Sequence, residues 1–468
     1  MKKLFSLNIM KQIKFCFMAF LIFHFSASTL HAQIITTVVG NHIYGYSGDG
    51  GQATSSELSG SLGITFDSAG NFYFVDGNNY CIRKVDNTGT ISTIAGNYLL
   101  GQGYIGDGGP ATAAELNNPW GLFIGKLGIL YLANGDEVRN VSISSDIINT
   151  VAGNHSLGGN YSGDGGPATA AELSVVAGVT IDNFNSLYIA DQSNCLIRKV
   201  NYSSGIINTI AGNYALGSGY SGDAGPATAA QFATPEEICL DLSGNIYVSD
   251  VGNNVIRKVD TFGIIYTVAG NYAMGAGFSG DGGPATSAEL NNPRGLVVDR
   301  FGNLFFADLV NNVVREVNST GNITTIAGNY VKGGGYSGDN GLATAAQLHY
   351  PNAVTLDKYG NLYISDGFNY VVRKVSGVTT GMNKVKDESE KVKVYPNPSN
   401  GNFTLSLSGI IEKCNLEIYN INGEKIYQSI INLNNTKINL NGQSQGIYFY
   451  RVLKDDGSIV GNGKVVIY

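Results

Sequence analysis

The chain has 468 residues, of which 63 are glycine and only 14% are charged, and its formal net charge is −7. The glycine content disfavours long helices, and the supply of Val, Ile, Thr, Tyr and Phe favours strands, so the composition predicts an all-β fold. An acidic chain lacks the clustered Lys and Arg that a phosphate backbone requires, which excludes nucleic acid as an expected partner.

The first 32 residues have the pattern of a secretory signal peptide. An apolar run from Phe15 to Leu30 follows several lysines, and His31-Ala32-Gln33 supplies a small residue for cleavage. No later apolar run reaches the roughly 18 residues that span a bilayer. We therefore expect an exported chain without a transmembrane segment, either released or held at the cell surface by other means.

A motif of the form Gly-Asp-x-Gly recurs with a period of about 58 residues, and its six copies begin at Gly48, Gly106, Gly163, Gly222, Gly280 and Gly338. A fixed period in this range indicates a repeat architecture. Residues that recur in every copy are expected to build the repeat, whereas residues that differ between copies are free to carry function.

Each repeat reads as four short strands separated by turns. In the fourth copy these are Glu237–Asp241, Ile246–Ser249, Val255–Val259 and Ile264–Ala269. Glycine-containing turns between short runs rich in β-branched residues predict an antiparallel meander. A linker of some two dozen residues then leads to the next copy.

The phase of the repeat predicts a closed ring. Residues Ile34–Val39 read as a fourth strand without the first three, and the last copy ends in a third strand, Val371–Val375, without a fourth. Joining the two would complete the last repeat and remove exposed sheet edges. We therefore expect an all-β protein with a six-bladed β-propeller over residues 33–378, in which the N-terminal strand closes the ring.

Three segments of the repeat resemble the NHL-repeat propellers of bacteria and of teneurins. They are Asn245–Asp250, Val255–Val259 and Ser279–Thr286. The resemblance covers roughly residues 34–376 and implies the propeller fold. It does not imply one function, because this family includes binding, signalling and enzymatic members.

Two charged residues recur in every copy. The arginines of the third strands are Arg83, Arg139, Arg198, Arg257, Arg315 and Arg373, and the aspartates of the Gly-Asp-x-Gly motifs are Asp49, Asp107, Asp164, Asp223, Asp281 and Asp339. An anion-binding ring of arginines or a calcium loop is an alternative, but calcium loops place several acidic ligands within about a dozen residues. We expect each Arg to hold the Asp of its own copy in a structural ion pair.

The residue before each inner strand differs between copies and is expected to lie at one mouth of the central channel. These residues are Leu62, Trp120, Ala177, Glu236, Arg294 and Asn352. Trp120 is the only tryptophan, and we take Trp120, Glu236, Arg294 and Asn352 as the candidate ligand-binding residues. Unselected variation at exposed positions is the competing interpretation.

The second copy departs most from the repeat. It has Gly125 and Asn134 where other copies have Asp, and its loop at Gly135–Glu137 is shorter. The copy is either the site of a ligand notch or a degenerate but folded blade.

An enzymatic alternative places a divalent metal in the central channel, as in gluconolactonase-like hydrolases and in lyases with a propeller fold. After the leader the chain has only His42, His155 and His349, which occupy linkers at positions that we take as non-equivalent. Glu236 and Asn352 could contact a cation, but no further ligands are apparent, and the cysteines lack the close pairing of zinc sites. No cofactor is therefore predicted, although a divalent cation is left open.

The composition changes after the repeats. Residues 379–393 are charged and without a core pattern, which predicts a linker. Residues 394–468 contain short alternating strands that suit a small β-sandwich. They resemble the type A C-terminal sorting domain of type IX secretion through Tyr395-Pro396-Asn397-Pro398, Leu416–Asn420, Gly446-Ile447-Tyr448 and Lys464–Tyr468.

The resemblance of residues 394–468 implies an encounter with the type IX secretion machinery, passage across an outer membrane of the Bacteroidota kind, and release or attachment at the surface. A generic carbohydrate-binding sandwich is the alternative for this region. Taken together, the sequence favours a secreted or cell-surface binding module, with an unknown protein or glycan ligand, over an enzyme. A divalent-metal hydrolase or lyase and a structural or adhesive surface component are the other candidates.

Overall fold

The computed structural model describes residues 33–378, 392–407, 413–420, 424–431, 435–454 and 459–467. The predicted signal peptide and most of the predicted linker, residues 379–391, lie outside the described residues. The chain divides into two compact units between Thr379 and Thr380. None of the described helices has the length and hydrophobicity of a membrane-spanning segment.

The described residues of the first unit form antiparallel sheets of four strands, and the all-β prediction is confirmed. Sheet 1 comprises β2 (Ser61–Phe66), β3 (Phe72–Asp76), β4 (Cys81–Val85) and β5 (Ile91–Ala95); sheet 2, β6 (Pro119–Ile124), β7 (Ile129–Asn134), β8 (Glu137–Ser142) and β9 (Ile147–Ala152); sheet 3, β10 (Val176–Ile181), β11 (Leu187–Asp191), β12 (Leu196–Val200) and β13 (Ile207–Ala211); sheet 4, β14 (Pro235–Leu240), β15 (Ile246–Asp250), β16 (Val255–Val259) and β17 (Ile265–Ala269); sheet 5, β18 (Pro293–Val298), β19 (Leu304–Asp308), β20 (Val313–Val317) and β21 (Ile323–Ala327); sheet 6, β23 (Pro351–Leu356), β24 (Leu362–Asp366), β25 (Val371–Val375), β1 (Ile34–Val39) and the short β22 (Gly341–Leu342).

The six sheets are arranged around a common axis. Their first strands contact one another in the cyclic order β2, β6, β10, β14, β18, β23 and back to β2. The N-terminal strand β1 pairs with β25, with Ile35 opposite Val375 and Thr37 opposite Arg373, so it takes the place of the missing fourth strand. Neighbouring sheets bury aliphatic and aromatic side chains between them, as Ile256 of sheet 4 does against Leu304 of sheet 5.

Short 3-10 helices lie in the loops between strands and in the linkers between sheets. They are Ala53–Ser55, Gly77–Asn79, Ala111–Ala113, His155–Leu157, Ala168–Ala170, Tyr214–Leu216, Ala227–Ala229, Val251–Asn253, Tyr272–Met274, Ala285–Ser287, Tyr330–Lys332, Ala343–Ala345 and Gly367–Asn369.

Glycine at one position of the inner strand lets the strands converge on the axis. A Cβ atom added to Gly63, Gly121, Gly178 or Gly295 would lie 2.3 to 2.6 Å from backbone atoms of the next inner strand. Real Cβ atoms do not approach so closely, so only glycine permits this packing at those four positions. The corresponding residues of sheets 4 and 6 are Glu237 and Ala353.

The repeated arginine is fully buried in every sheet, and each contacts the Asp of its Gly-Asp-x-Gly motif at 2.5 to 2.8 Å. In sheet 1, Nη2 of Arg83 lies 2.8 Å from Asp49 while Nη1 lies 3.1 Å from the buried Asp76. The sequence analysis did not anticipate this second carboxylate, which five sheets supply from the end of their second strand: Asp76, Asp191, Asp250, Asp308 and Asp366. A guanidinium can fork onto two carboxylates, so each Arg ties a linker to the core of its sheet.

The described residues of the second unit form two sheets. One comprises β26 (Val392–Tyr395), β27 (Asn402–Leu407) and β30 (Asn435–Asn439). The other comprises β28 (Cys414–Tyr419), β29 (Lys425–Ile431), β31 (Gly446–Lys454) and β32 (Ile459–Ile467). Both sheets contribute to one buried cluster that includes Leu405, Leu416 and Val452. This unit therefore has a hydrophobic core of its own.

Candidate functional site

The four candidate residues Trp120, Glu236, Arg294 and Asn352 are brought together by the fold, and we call them the rim cluster. Each is the second residue of its inner strand, directly after a proline, in β6, β14, β18 and β23. With Leu62 they line one small pocket on the axis. The equivalent Ala177 of sheet 3 is buried and does not line this pocket.

Arg294 reaches across the mouth of the channel. Sheets 2 and 5 face each other in the cyclic order, yet the Arg294 guanidinium lies 5.2 Å from the centre of the Trp120 ring. Its Nε lies 3.0 Å from Oε2 of Glu236 and donates its hydrogen bond to Oδ1 of Asn292 at 2.8 Å. The cation therefore contacts a ring of sheet 2, a carboxylate of sheet 4 and an amide of the linker just before its own strand.

Glu236 is a buried carboxylate with an incomplete set of hydrogen bonds. It is 4% exposed, and its Oε1 accepts a hydrogen bond of 3.0 Å from Gln192. Its Oε2 lies beside Arg294 but has no hydrogen bond, because the Arg294 Nε–H points to Asn292. Burial raises the pKa of Glu236, although Arg294 and Gln192 act in the opposite direction. An unsatisfied oxygen in such a place is costly.

The rim pocket itself is small. Its volume of about 10 Å³ is enough for about one water molecule. Movement of Arg294 off Trp120 would enlarge the pocket.

Glu237 lies at the constriction below the rim cluster and was missed by the sequence analysis. It lines both the rim pocket and the channel cavity beneath, which measures about 170 Å³ and is bounded mainly by aliphatic and threonine side chains. Burial, with the neighbouring charge of Glu236, raises the pKa of Glu237 to about 8. The sequence could have indicated this residue, because four other repeats have glycine at the position equivalent to Glu237.

The histidines are not placed as the sequence analysis expected. His42 and His155 occupy equivalent linker positions, and each stacks on an aromatic ring of the preceding linker, Tyr336 at 4.4 Å and Tyr104 at 4.2 Å. The prediction of non-equivalent positions is therefore wrong for this pair, because the Gly-Asn that precedes both sets them in register. Among the described residues, no group of three His, Cys, Asp or Glu side chains is placed to hold a metal ion.

Comparisons with known proteins match both units. The Teneurin NHL domain matches residues 42–103 and 274–333, and the Secretion system C-terminal sorting domain matches residues 393–468. Mouse Teneurin-4 is 30% identical over 236 residues, which cover 45% of this chain and 8% of the teneurin. Human Teneurin-1 is 26% identical over 374 residues, which cover 73% of this chain and 13% of that protein. The chain thus corresponds to a small part of these relatives.

Two solved structures from Bacteroides thetaiotaomicron share the fold. A structural genomics protein of unknown function has a TM-score of 0.54 at 17% identity, over 74% of this chain and 76% of that one. An auxiliary nutrient binding protein has a TM-score of 0.53 at 16% identity, over 73% of this chain and 76% of that one. The first unit is therefore similar to teneurin NHL domains and the second to a secretion-system sorting domain, which are the resemblances that the sequence motifs predicted.

Proposed function

We propose that this protein is exported by type IX secretion and presents a six-bladed β-propeller, residues 33–378, as a binding module in the medium or on the cell surface. The proposal includes a linker before Val392 and a small β-sandwich that would engage the secretion machinery. The first strand of the sandwich, β26, begins at Val392, two residues before the predicted boundary at 394. The sorting domain supports export, and the cyclic contacts of the six inner strands support the closed propeller.

The observation that carries a binding role is the convergence of non-repeating residues on the rim. Trp120, Glu236, Arg294 and Asn352 all leave the repeat pattern, and all line one pocket. Glu236 keeps one buried oxygen without a hydrogen bond. This oxygen is ion-paired with Arg294 at 3.0 Å, and a ligand that donates a hydrogen bond would satisfy it further.

The chemistry of the rim cluster suggests how a ligand would bind. A hydroxyl or amide donor would reach Oε2 of Glu236, and the Trp120 ring would offer a flat apolar surface once Arg294 swings away. Proteins and glycans both present such groups, so both remain candidate ligands.

Binding of the purified protein to glycan and protein arrays tests this proposal, with Trp120→Ala and Arg294→Ala as the rim variants. Each is expected to weaken binding about tenfold or more, as loss of an aromatic or Arg anchor does. Phe262→Ala and Arg300→Ala change exposed residues of the same types away from the rim pocket and should bind as the wild type does. Binding that survives both rim substitutions would contradict the rim assignment.

A further inference from the structure

A groove lies beside sheet 2, whose loop between the second and third strands differs from that of the other sheets. In the other five sheets, an Asn of the loop between the second and third strands donates its side-chain amide to a linker carbonyl at 2.8 Å: Asn79, Asn194, Asn253, Asn311 and Asn369. The corresponding loop of sheet 2 is two residues shorter and lacks this Asn. The Tyr104 hydroxyl approaches this loop and accepts a hydrogen bond from the Asp136 backbone N–H at 3.4 Å. The groove beside it has a volume of about 570 Å³ and is lined by the linker from Tyr104 to Asp107 and by Glu137, Thr150 and His155.

In sheet 2 a buried carboxylate stands at a different position from that of the other sheets. Asn134 replaces the buried Asp that elsewhere faces the repeated Arg, and Glu137 stands where the other sheets have Cys81, Leu196, Val255, Val313 and Val371. Glu137 is 4% exposed, so a buried charge has been introduced where an apolar side chain would serve the fold. Random decay of a repeat does not favour a buried carboxylate, because an unpaired one is costly.

Glu137 is paired with His155 of the following linker. Its Oε1 lies 2.5 Å from Nδ1 of His155 and accepts a hydrogen bond from the His155 backbone N–H at 3.2 Å. Its Oε2 accepts a hydrogen bond of 3.2 Å from the Thr150 hydroxyl. Because Nδ1 is engaged, Nε2 is the ring nitrogen left for a ligand, and the His155 side chain is 43% exposed.

The walls of the groove combine apolar and polar groups. Ile105 is 62% exposed and stands where the other linkers carry serine, and the Tyr104 ring lies parallel to His155. In the other five sheets the repeated Arg lies about 5 Å over the linker ring. Arg139 instead turns its Nε to Asp107 at 3.1 Å, and within the described residues no guanidinium covers Tyr104.

The carboxylates in the groove already have hydrogen-bond partners, which constrains the ligand. Asp107 receives Arg139 on Oδ1 and the Thr150 backbone N–H on Oδ2, and Glu137 receives His155 and Thr150. A free anion would meet two carboxylates, and a free cation would meet carboxylates that have partners. A neutral ligand with several hydroxyls and one apolar face best suits the side chains that line the groove.

We propose that the groove, lined by Tyr104, Ile105, Asp107, Glu137, Thr150 and His155, binds a neutral glycan of one or two sugar residues. The volume falls in the range of small-ligand sites. Sugar C–H groups would lie against Ile105 and Tyr104, and hydroxyls would exchange hydrogen bonds with His155 Nε2 and the carboxylates. This inference rests on the proposed binding role but places the glycan away from the rim cluster.

The test is a neutral-glycan array probed with the purified full chain, followed by titration of a bound mono- or disaccharide. The double variant Glu137→Val with His155→Tyr restores the residues used by most other repeats, so the fold should tolerate it. It is expected to weaken binding about tenfold or more, with no loss of melting temperature. His155→Tyr alone keeps the buried carboxylate and should weaken binding as well.

His42→Tyr is the matched control, because His42 stacks at the equivalent position of another linker without a glutamate partner. It should leave glycan binding unchanged. Loss of binding in His42→Tyr, full binding in the double variant, or capture only of charged sugars or amines would each overturn the inference. Loss confined to Trp120→Ala would place the glycan at the rim, which overturns the groove assignment and leaves the binding role standing. An array without any bound neutral glycan overturns the groove assignment too, while the protein array still tests the binding role.

Discussion

At the scale of the residue, a few side chains depart from the pattern that the other repeats share. Glu237 is the clearest case, because the same column holds glycine in sheets 1, 2, 3 and 5 for the close approach of backbones. Trp120 and Arg294 were found from the sequence since both differ from their equivalents at an expected rim. Their contact across the channel was not, because it joins sheets far apart in the chain and depends on how far one side chain reaches.

Replacing Glu237 by glutamine is predicted to change how stability depends on pH. The folded-state pKa is raised to about 8 from an ordinary 4.5, so folding favours the protonated form. The wild type is therefore most stable below the ordinary pKa and loses stability as the pH rises through it to about 8. Glu237→Gln cannot ionise, so melting temperatures measured from pH 5 to pH 9 should fall less for this variant. A parallel decline in both proteins would contradict the assignment.

At the scale of the element, the Arg with its two carboxylates is the part that joins each linker to its sheet. The sequence predicted the Arg and the Asp of Gly-Asp-x-Gly, because both recur with the repeat. It did not identify the second Asp, which ends a strand and looks like an ordinary turn residue until the loop folds over it. Sheet 2 shows that the second carboxylate can be given up, since Asn134 takes its place.

Removing the Arg is predicted to cost unequal amounts in different sheets. Arg257→Met would leave the fully buried Asp250 without its cation, and breaking a buried pair costs about 3 to 5 kcal/mol. Arg139→Met leaves only Asp107, whose side chain is half-exposed, and should cost clearly less. Chemical denaturation of the two variants provides the comparison. Equal losses would show that the buried carboxylate does not set the cost.

At the scale of the whole molecule, the repeated residues were enough to predict the architecture from the sequence. The candidate binding residues are those that differ between repeats. The phase of the repeat was enough to pair β1 with β25, because each copy specifies the same strand order. The groove in sheet 2 was predicted only as one of two interpretations, since a shortened loop does not reveal which side chains then meet. The contact of Glu137 with His155 is visible only in the folded structure, because the two residues lie on different segments.

Deletion of residues 394–468 is predicted to stop export at the periplasm. The matched sorting domain is the part of the chain that would engage the type IX machinery, and the propeller would remain folded behind the outer membrane. Immunoblots of periplasm and medium measure this directly, with the full-length Trp120→Ala chain as the control that should still be exported. Normal release of the truncated chain would contradict the role of the tail.

The central claim is that repeated residues build this protein and non-repeating residues bind its ligands. The most direct test measures ligand affinity and melting temperature together in two pairs of variants. The first pair is Trp120→Ala and the double variant Glu137→Val/His155→Tyr, and the second pair is Asp250→Asn and Arg257→Met. We predict that each variant of the first pair weakens binding of the ligand of its own site, the rim or the groove, with unchanged melting temperature. In the second pair we predict a lowered melting temperature, with affinity retained by the folded protein. Binding that simply follows stability across all four proteins would contradict the claim.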